Sequence, residues 1–63
     1  MIDIKKARQD AGLTQEELAD LLRITPAALC RYERGNRPIP VSTAQRIGRI
    51  LQIDWWKLYK DED

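Results

Sequence analysis

Residues 24–35, ITPAALCRYERG, set two arginines, Arg31 and Arg34, behind a run of small apolar residues. They belong to a larger block. Residues 23–49 hold six arginines (Arg23, Arg31, Arg34, Arg37, Arg46 and Arg49) and one acid, Glu33, a net of +5, although the whole chain carries only +1. Every basic residue in the block is arginine. Its planar, forked guanidinium suits phosphate oxygens and guanine edges better than a lysine ammonium does. The other residues carry five bases and nine acids, including Asp61, Glu62 and Asp63. Positive charge therefore gathers in the middle third. The competing reading is a solvated surface with chance clustering.

Other chemistries find little support. The chain has no histidine and a single cysteine, Cys30, so an internal disulfide and a zinc site are both excluded. A packed or half-buried thiol is the reading for Cys30, ahead of a redox sensor or metal ligand. No Gly-rich phosphate loop, nucleophile–base pair or paired carboxylate at a plausible cleft is found, and 63 residues leave little room for a preorganised pocket. The expectation is a non-enzyme that needs no cofactor. No run approaches the roughly 18 apolar residues of a membrane span. No signal peptide is read at the start. The chain is expected to be soluble and cytoplasmic, with no membrane partner. One domain is expected over residues 1–63, near the lower size limit for independent folding.

The elements that must position the arginines follow from caps and spacing. Ile4, Ala7 and Ala11, with Ile2 before them, repeat at helical intervals, and Gly12 is a C-terminal stop. Thr14 and Glu17 form a capping box, with Leu13 and Leu18 at the staple positions. Leu18, Ala19 and Leu22 form the buried stripe of this second helix. Thr25 caps a third helix, Pro26 takes its first position, Ile24 and Leu29 staple it, and Gly35 ends it. Leu29 and Tyr32 face inward. Two short helices with so tight a connection must cross at a large angle, a helix-turn-helix unit over about residues 14–34. GNRPIP is a loop, and Pro40 opens a fourth helix with Val41, Ala44, Ile47, Gly48 and Leu51 inward. Asp54 caps a short fifth helix, with Trp55, Leu58 and Tyr59 toward the core. The fold class read from this pattern is all-α, with about five helices.

LTQEELADLLRITPAALCRYERG resembles the helix-turn-helix of the phage repressor and Cro family, the xenobiotic-response-element type. The likeness runs from about residue 4 to residue 59. Gln15 opens the second helix, Ala19 lies at the crossing, Ile24 is in the turn, and Leu29, Tyr32 and ERG follow. The resemblance implies a compact, five-helix, lambda-repressor-like domain. Such a domain binds double-stranded DNA, usually as a homodimer on a near-palindromic operator, with the third helix in the major groove. A transcriptional repressor is the reading it favours.

Carried over residue by residue, the resemblance assigns base contact to Pro26, Ala27 and Arg31. Glutamine or serine is common at the first two positions; here neither side chain can donate a hydrogen bond. Apolar contact with thymine methyls and a two-bond grip by Arg31 on guanine remain. Phosphate contact by Arg31 is the alternative. Gln15, Arg34, Asn36 and Arg37 fall where the family holds the phosphate backbone. Arg23 replaces a glycine often found in the turn, so the backbone there is either strained or differently turned. Glu33 reads as structural, partnered by a nearby arginine. Arg46 and Arg49 read as solvent-exposed.

Trp55 aligns with a family core leucine. Trp56 falls where polar residues are common, and an exposed tryptophan suits an interface anchor. Ile50 and Trp56 are the expected dimer interface; a Trp56 lying flat on its own domain is the alternative. Two other functions stay open: an antitoxin that also binds a toxin partner, and a protein-interaction module that uses the same scaffold without DNA.

Overall fold

A computed structural model of the chain describes residues 3–59. Ile2 and the acidic stretch at 61–63 lie outside them. The described residues form four α-helices, α1 (Ile4–Asp10), α2 (Gln15–Leu22), α3 (Pro26–Arg34) and α4 (Val41–Leu51), followed by a 3-10 turn at Trp55–Leu58. No strand is present among them.

Side-chain caps account for three of the four starts, while α4 follows Pro40 without a side-chain capping bond. Asp3 caps α1 by accepting from the Lys5 and Lys6 amides. The Thr14 hydroxyl accepts from the Glu17 N–H at 3.0 Å, and the Glu17 carboxylate accepts from the Thr14 N–H at 2.8 Å, a complete capping box. Thr25 accepts from Ala28 N–H at 3.1 Å, with Pro26 as the first helical residue of α3. The four helices also end alike. The amides of Leu13, Ile24, Asn36 and Ile53 return to the carbonyls of Arg8, Ala19, Arg31 and Gly48 at 3.0–3.1 Å. Each return is made possible by a left-handed residue: Gly12, Arg23, Gly35 and Gln52. Glycine takes that conformation freely. Arg23 at φ 59 and Gln52 at φ 58 take it at a cost of about 1 kcal/mol each.

Ile4, Leu18, Ala19, Leu22, Leu29, Ala44, Ile47, Leu51 and Leu58 are buried together, drawing all four helices and the last turn into one core. Arg23, Ile24 and Thr25 alone join α2 to α3, and Ala19 is fully buried between them. Gly48 is where the end of the chain closes on α4. A Cβ there would lie 2.8 Å from the Ile53 carbonyl oxygen and 2.9 Å from Trp55 Cβ, so only glycine admits this approach.

Four expectations need correction. A fifth α-helix does not form; residues 55–58 make a single 3-10 turn. The Asp54 side chain makes no capping bond and instead pairs with Lys57 at 3.4 Å. Tyr59 then turns extended, which lets its hydroxyl donate to the Ile39 carbonyl at 2.8 Å. Val41 is 54 % exposed rather than inward, because it lies about 70° around α4 from the centre of the buried stripe. Ala11 is also exposed, as the residue capping α1.

Candidate nucleic-acid interface

α3 presents its outer face by simple helical geometry. Leu29 is fully buried, and Tyr32 and Glu33 turn toward the core. Ala27, Arg31 and Arg34 then fall within about 60° of one another on the opposite side, and all three are exposed. Pro26 is exposed at the helix start, Ala28 and Cys30 are half-buried at the flanks. Arg31 and Arg34 occupy the last turn, where the helix dipole favours cations. The Asn36 amide is fixed by its bond to the Arg31 carbonyl, so the loop carrying exposed Asn36 and Arg37 leaves α3 in a defined direction.

The one acid of the arginine block is withdrawn from this face. Glu33 Oε2 accepts from Arg8 Nε at 2.8 Å, and the two side chains are 4 % and 9 % exposed. Arg8 also donates to the Leu13 carbonyl at 2.8 Å. The second carboxylate oxygen of Glu33 accepts from Gln15 Nε2 at 3.0 Å. One carboxylate thus ties α1, the first residue of α2 and the end of α3 together, and every described buried polar side-chain atom has a partner. Its charge is matched internally, so the outer face of α3 exposes no acid of its own.

Gln15 is consequently held, not free. One of its two amide N–H groups serves Glu33, which leaves the other available to a ligand. The backbone N–H groups that open α2 point the same way as the helix axis and favour anions. Glu16, exposed in the same turn, opposes that preference.

The remaining expected site residues are distributed more widely. Trp56 is 57 % exposed and meets Trp55 edge to face, with ring centroids 5.9 Å apart. Ile50 is half-buried and lies about 160° around α4 from Gly48, the residue on which the last turn packs. It lines a groove with Leu21, Arg23, Arg46 and Arg49. Arg46 and Arg49 are both exposed, and Cys30 is half-buried.

Sequence reasoning passed over Arg8. The signal was present, since Arg8 stands one turn beyond Ile4 on an otherwise apolar face, a position where a charge requires a buried partner. Among the described residues no group of three metal-ligating side chains converges, and no helix is long and apolar enough to cross a membrane.

Comparison with known proteins agrees with this geometry. The helix-turn-helix family model matches residues 4–55. The chain is 36 % identical over 58 residues to the uncharacterized HTH-type transcriptional regulator YqaF of Bacillus subtilis (strain 168), covering 92 % of this chain and 76 % of that protein. It is 38 % identical over 60 residues to the uncharacterized HTH-type transcriptional regulator YqaE of the same organism, covering 95 % of this chain and 52 % of that protein. The chain thus spans about half the length of the second relative. An uncharacterized HTH-type transcriptional regulator of Methanothermobacter thermautotrophicus is 38 % identical over 48 residues, 76 % of this chain and 70 % of that protein. No solved structure matches at comparable significance. With the match extending over all four helices, the chain belongs to the helix-turn-helix family of the Cro/C1 type.

Proposed function

We propose that the chain is a sequence-specific DNA-binding transcriptional regulator that represses by occupying a near-palindromic operator as a homodimer. α3 lies in the major groove. Arg31 grips a guanine through O6 and N7, and Pro26 and Ala27 present apolar surface to thymine methyls. Gln15, through its remaining N–H, and Arg34, Asn36 and Arg37 hold phosphates and set the register. In the dimer, two copies of α3 stand one helical turn of DNA apart, about 34 Å.

The observation that carries this reading is the outer face of α3. Ala27, Arg31 and Arg34 are exposed there, while Glu33 is buried against Arg8. A surface of arginine and small apolar groups with its only acid removed is complementary to a groove lined by phosphate, guanine and thymine. The names of the three relatives point the same way. Trp56 anchors the twofold contact, as the most exposed large apolar side chain among the described residues. Ile50, expected to share it, is half-buried on α4 and lines a groove with Leu21 and three arginines.

Selection of duplexes from a random pool at fixed salt tests this. Enrichment of a twofold-related motif containing guanine in each half supports it. Uniform, salt-sensitive binding with no enriched motif removes sequence-specific regulation.

A further inference from the structure

The groove that contains Ile50 has its own chemistry. Leu21, 54 % exposed, and half-buried Ile50 supply apolar surface. Arg23, Arg46 and Arg49 surround them, all exposed, and none pairs with an acid among the described residues. No acidic residue lines the groove. Arg23 is held at φ 59, a conformation glycine would adopt more easily, so a guanidinium stands at the rim where the backbone alone would favour no side chain.

Its position separates it from the DNA-facing stripe. On α2, Leu21 lies about 100–140° from Glu16 and Asp20, which border the depression beside Pro26. α2 therefore stands between this groove and the first turn of α3. A phosphate backbone would use the three arginines but would gain nothing from an exposed leucine and a half-buried isoleucine. A carboxylate-bearing segment that also carries a large apolar side chain would use both: the arginines offer paired donors to carboxylates, and the apolar floor gives the anchor a place out of water.

We propose that the groove between α2 and α4 docks an acidic, apolar-anchored segment of a partner protein, and that it does so while α3 is engaged with DNA. The partner is recognised by carboxylates flanking a leucine-sized or larger side chain.

The test uses the full chain and a synthetic peptide with leucine and glutamate at helical spacing, titrated by amide NMR. A peptide with lysine for glutamate and one with serine for leucine serve as comparisons. Binding to a random-sequence duplex is measured in parallel at the same salt. The acidic peptide is expected to shift the amides of Leu21, Arg23, Arg46, Arg49 and Ile50 and to leave those of Arg31 and Arg34 unmoved. Arg46→Gln with Arg49→Gln, at exposed positions that leave circular dichroism unchanged, weakens the peptide at least about tenfold, as two charge-assisted contacts are lost. Leu21→Ser weakens it comparably. The same variants change duplex affinity less than about threefold, since the groove lies off the outer face of α3 and exposed charges away from the contact are screened by salt.

No peptide binding, shifts centred elsewhere, or equal binding of all three peptides would overturn the proposal. So would a duplex affinity that falls in step with peptide affinity, which would make the groove a DNA surface, or groove shifts that appear on concentrating the chain alone, which would make it a self-association surface. If the duplex does not bind at all, the DNA reading fails on that arm, and the peptide arm still decides the groove.

Discussion

Arg8 and Glu33 stand 25 residues apart in sequence and meet at 2.8 Å, with their side chains 9 % and 4 % exposed. The pair fastens the first helix to the end of the third, and the free oxygen of Glu33 steadies Gln15. Removing one member of a buried pair leaves the other uncompensated. Arg8→Met alone, or Glu33→Leu alone, should cost about 3–5 kcal/mol, comparable with the whole stability of a domain of this size. The double variant should recover most of that loss, because apolar groups of similar volume replace a costly ion pair. Urea unfolding of all three proteins measures it; a double variant no more stable than either single one refutes a paired role. The recovered double variant should also bind duplex more weakly than the parent, since Gln15 has lost its holder.

Gly48 admits the Ile53 carbonyl and Trp55 at distances no Cβ tolerates. The obstacle is backbone, so it cannot swing aside. Gly48→Ala should destabilise by about 1–3 kcal/mol and displace Trp55, with a change in tryptophan fluorescence. A loss below about 0.5 kcal/mol with unchanged emission would show that the last turn does not depend on this contact.

Trp56 packs on Trp55 yet leaves more than half its surface to solvent. If it anchors the twofold contact, Trp56→Ala should yield a monomer of nearly parental stability. Analytical ultracentrifugation at matched concentrations decides this, and an unaltered dimer would place the interface elsewhere.

Arg34 and Arg37 are exposed at the end of α3 and in the following loop. As phosphate contacts they release counterions without reading bases. Replacing both by alanine removes four phosphate contacts from the dimer, so it should reduce the slope of log affinity against log salt by about 3–4 and leave the selected motif unchanged. A changed motif would instead make one of them a base reader.

The parts of this fold legible in the sequence are those written locally. Thr14 with Glu17, and Thr25 with Pro26, announce two helix starts within four residues each, and Gly12 and Gly35 announce two ends. The other two ends use the same backbone geometry at Arg23 and Gln52; the family resemblance flags Arg23 as standing where glycine is common, whereas nothing in the sequence marks Gln52. The last turn departs from the expected helix through a tertiary contact. Tyr59 is drawn to the Ile39 carbonyl, 20 residues away, and that bond ends helical geometry early. At the candidate interface, the exposed face of α3 follows from Leu29 and its neighbours. The pairing of Glu33 with an arginine follows from the family resemblance, but the identity of that arginine does not, since Arg8 arrives from another helix. The Leu21 groove was invisible because periodicity marks which residues face the core, not which outward residues from two helices come to lie side by side.

The measurement that bears most directly on DNA recognition is the base preference of Arg31→Ala and Arg31→Lys against the parent, on the selected duplex and on versions with single guanine replacements. If Arg31 holds a guanine through two bonds, the parent should discriminate by about 1–3 kcal/mol at one position in each half-site. Arg31→Ala should abolish that preference and leave the others intact, and Arg31→Lys, lacking the fork, should restore little of it. A uniform loss of affinity across all duplexes, with every base preference preserved, would contradict base reading by α3 at this residue.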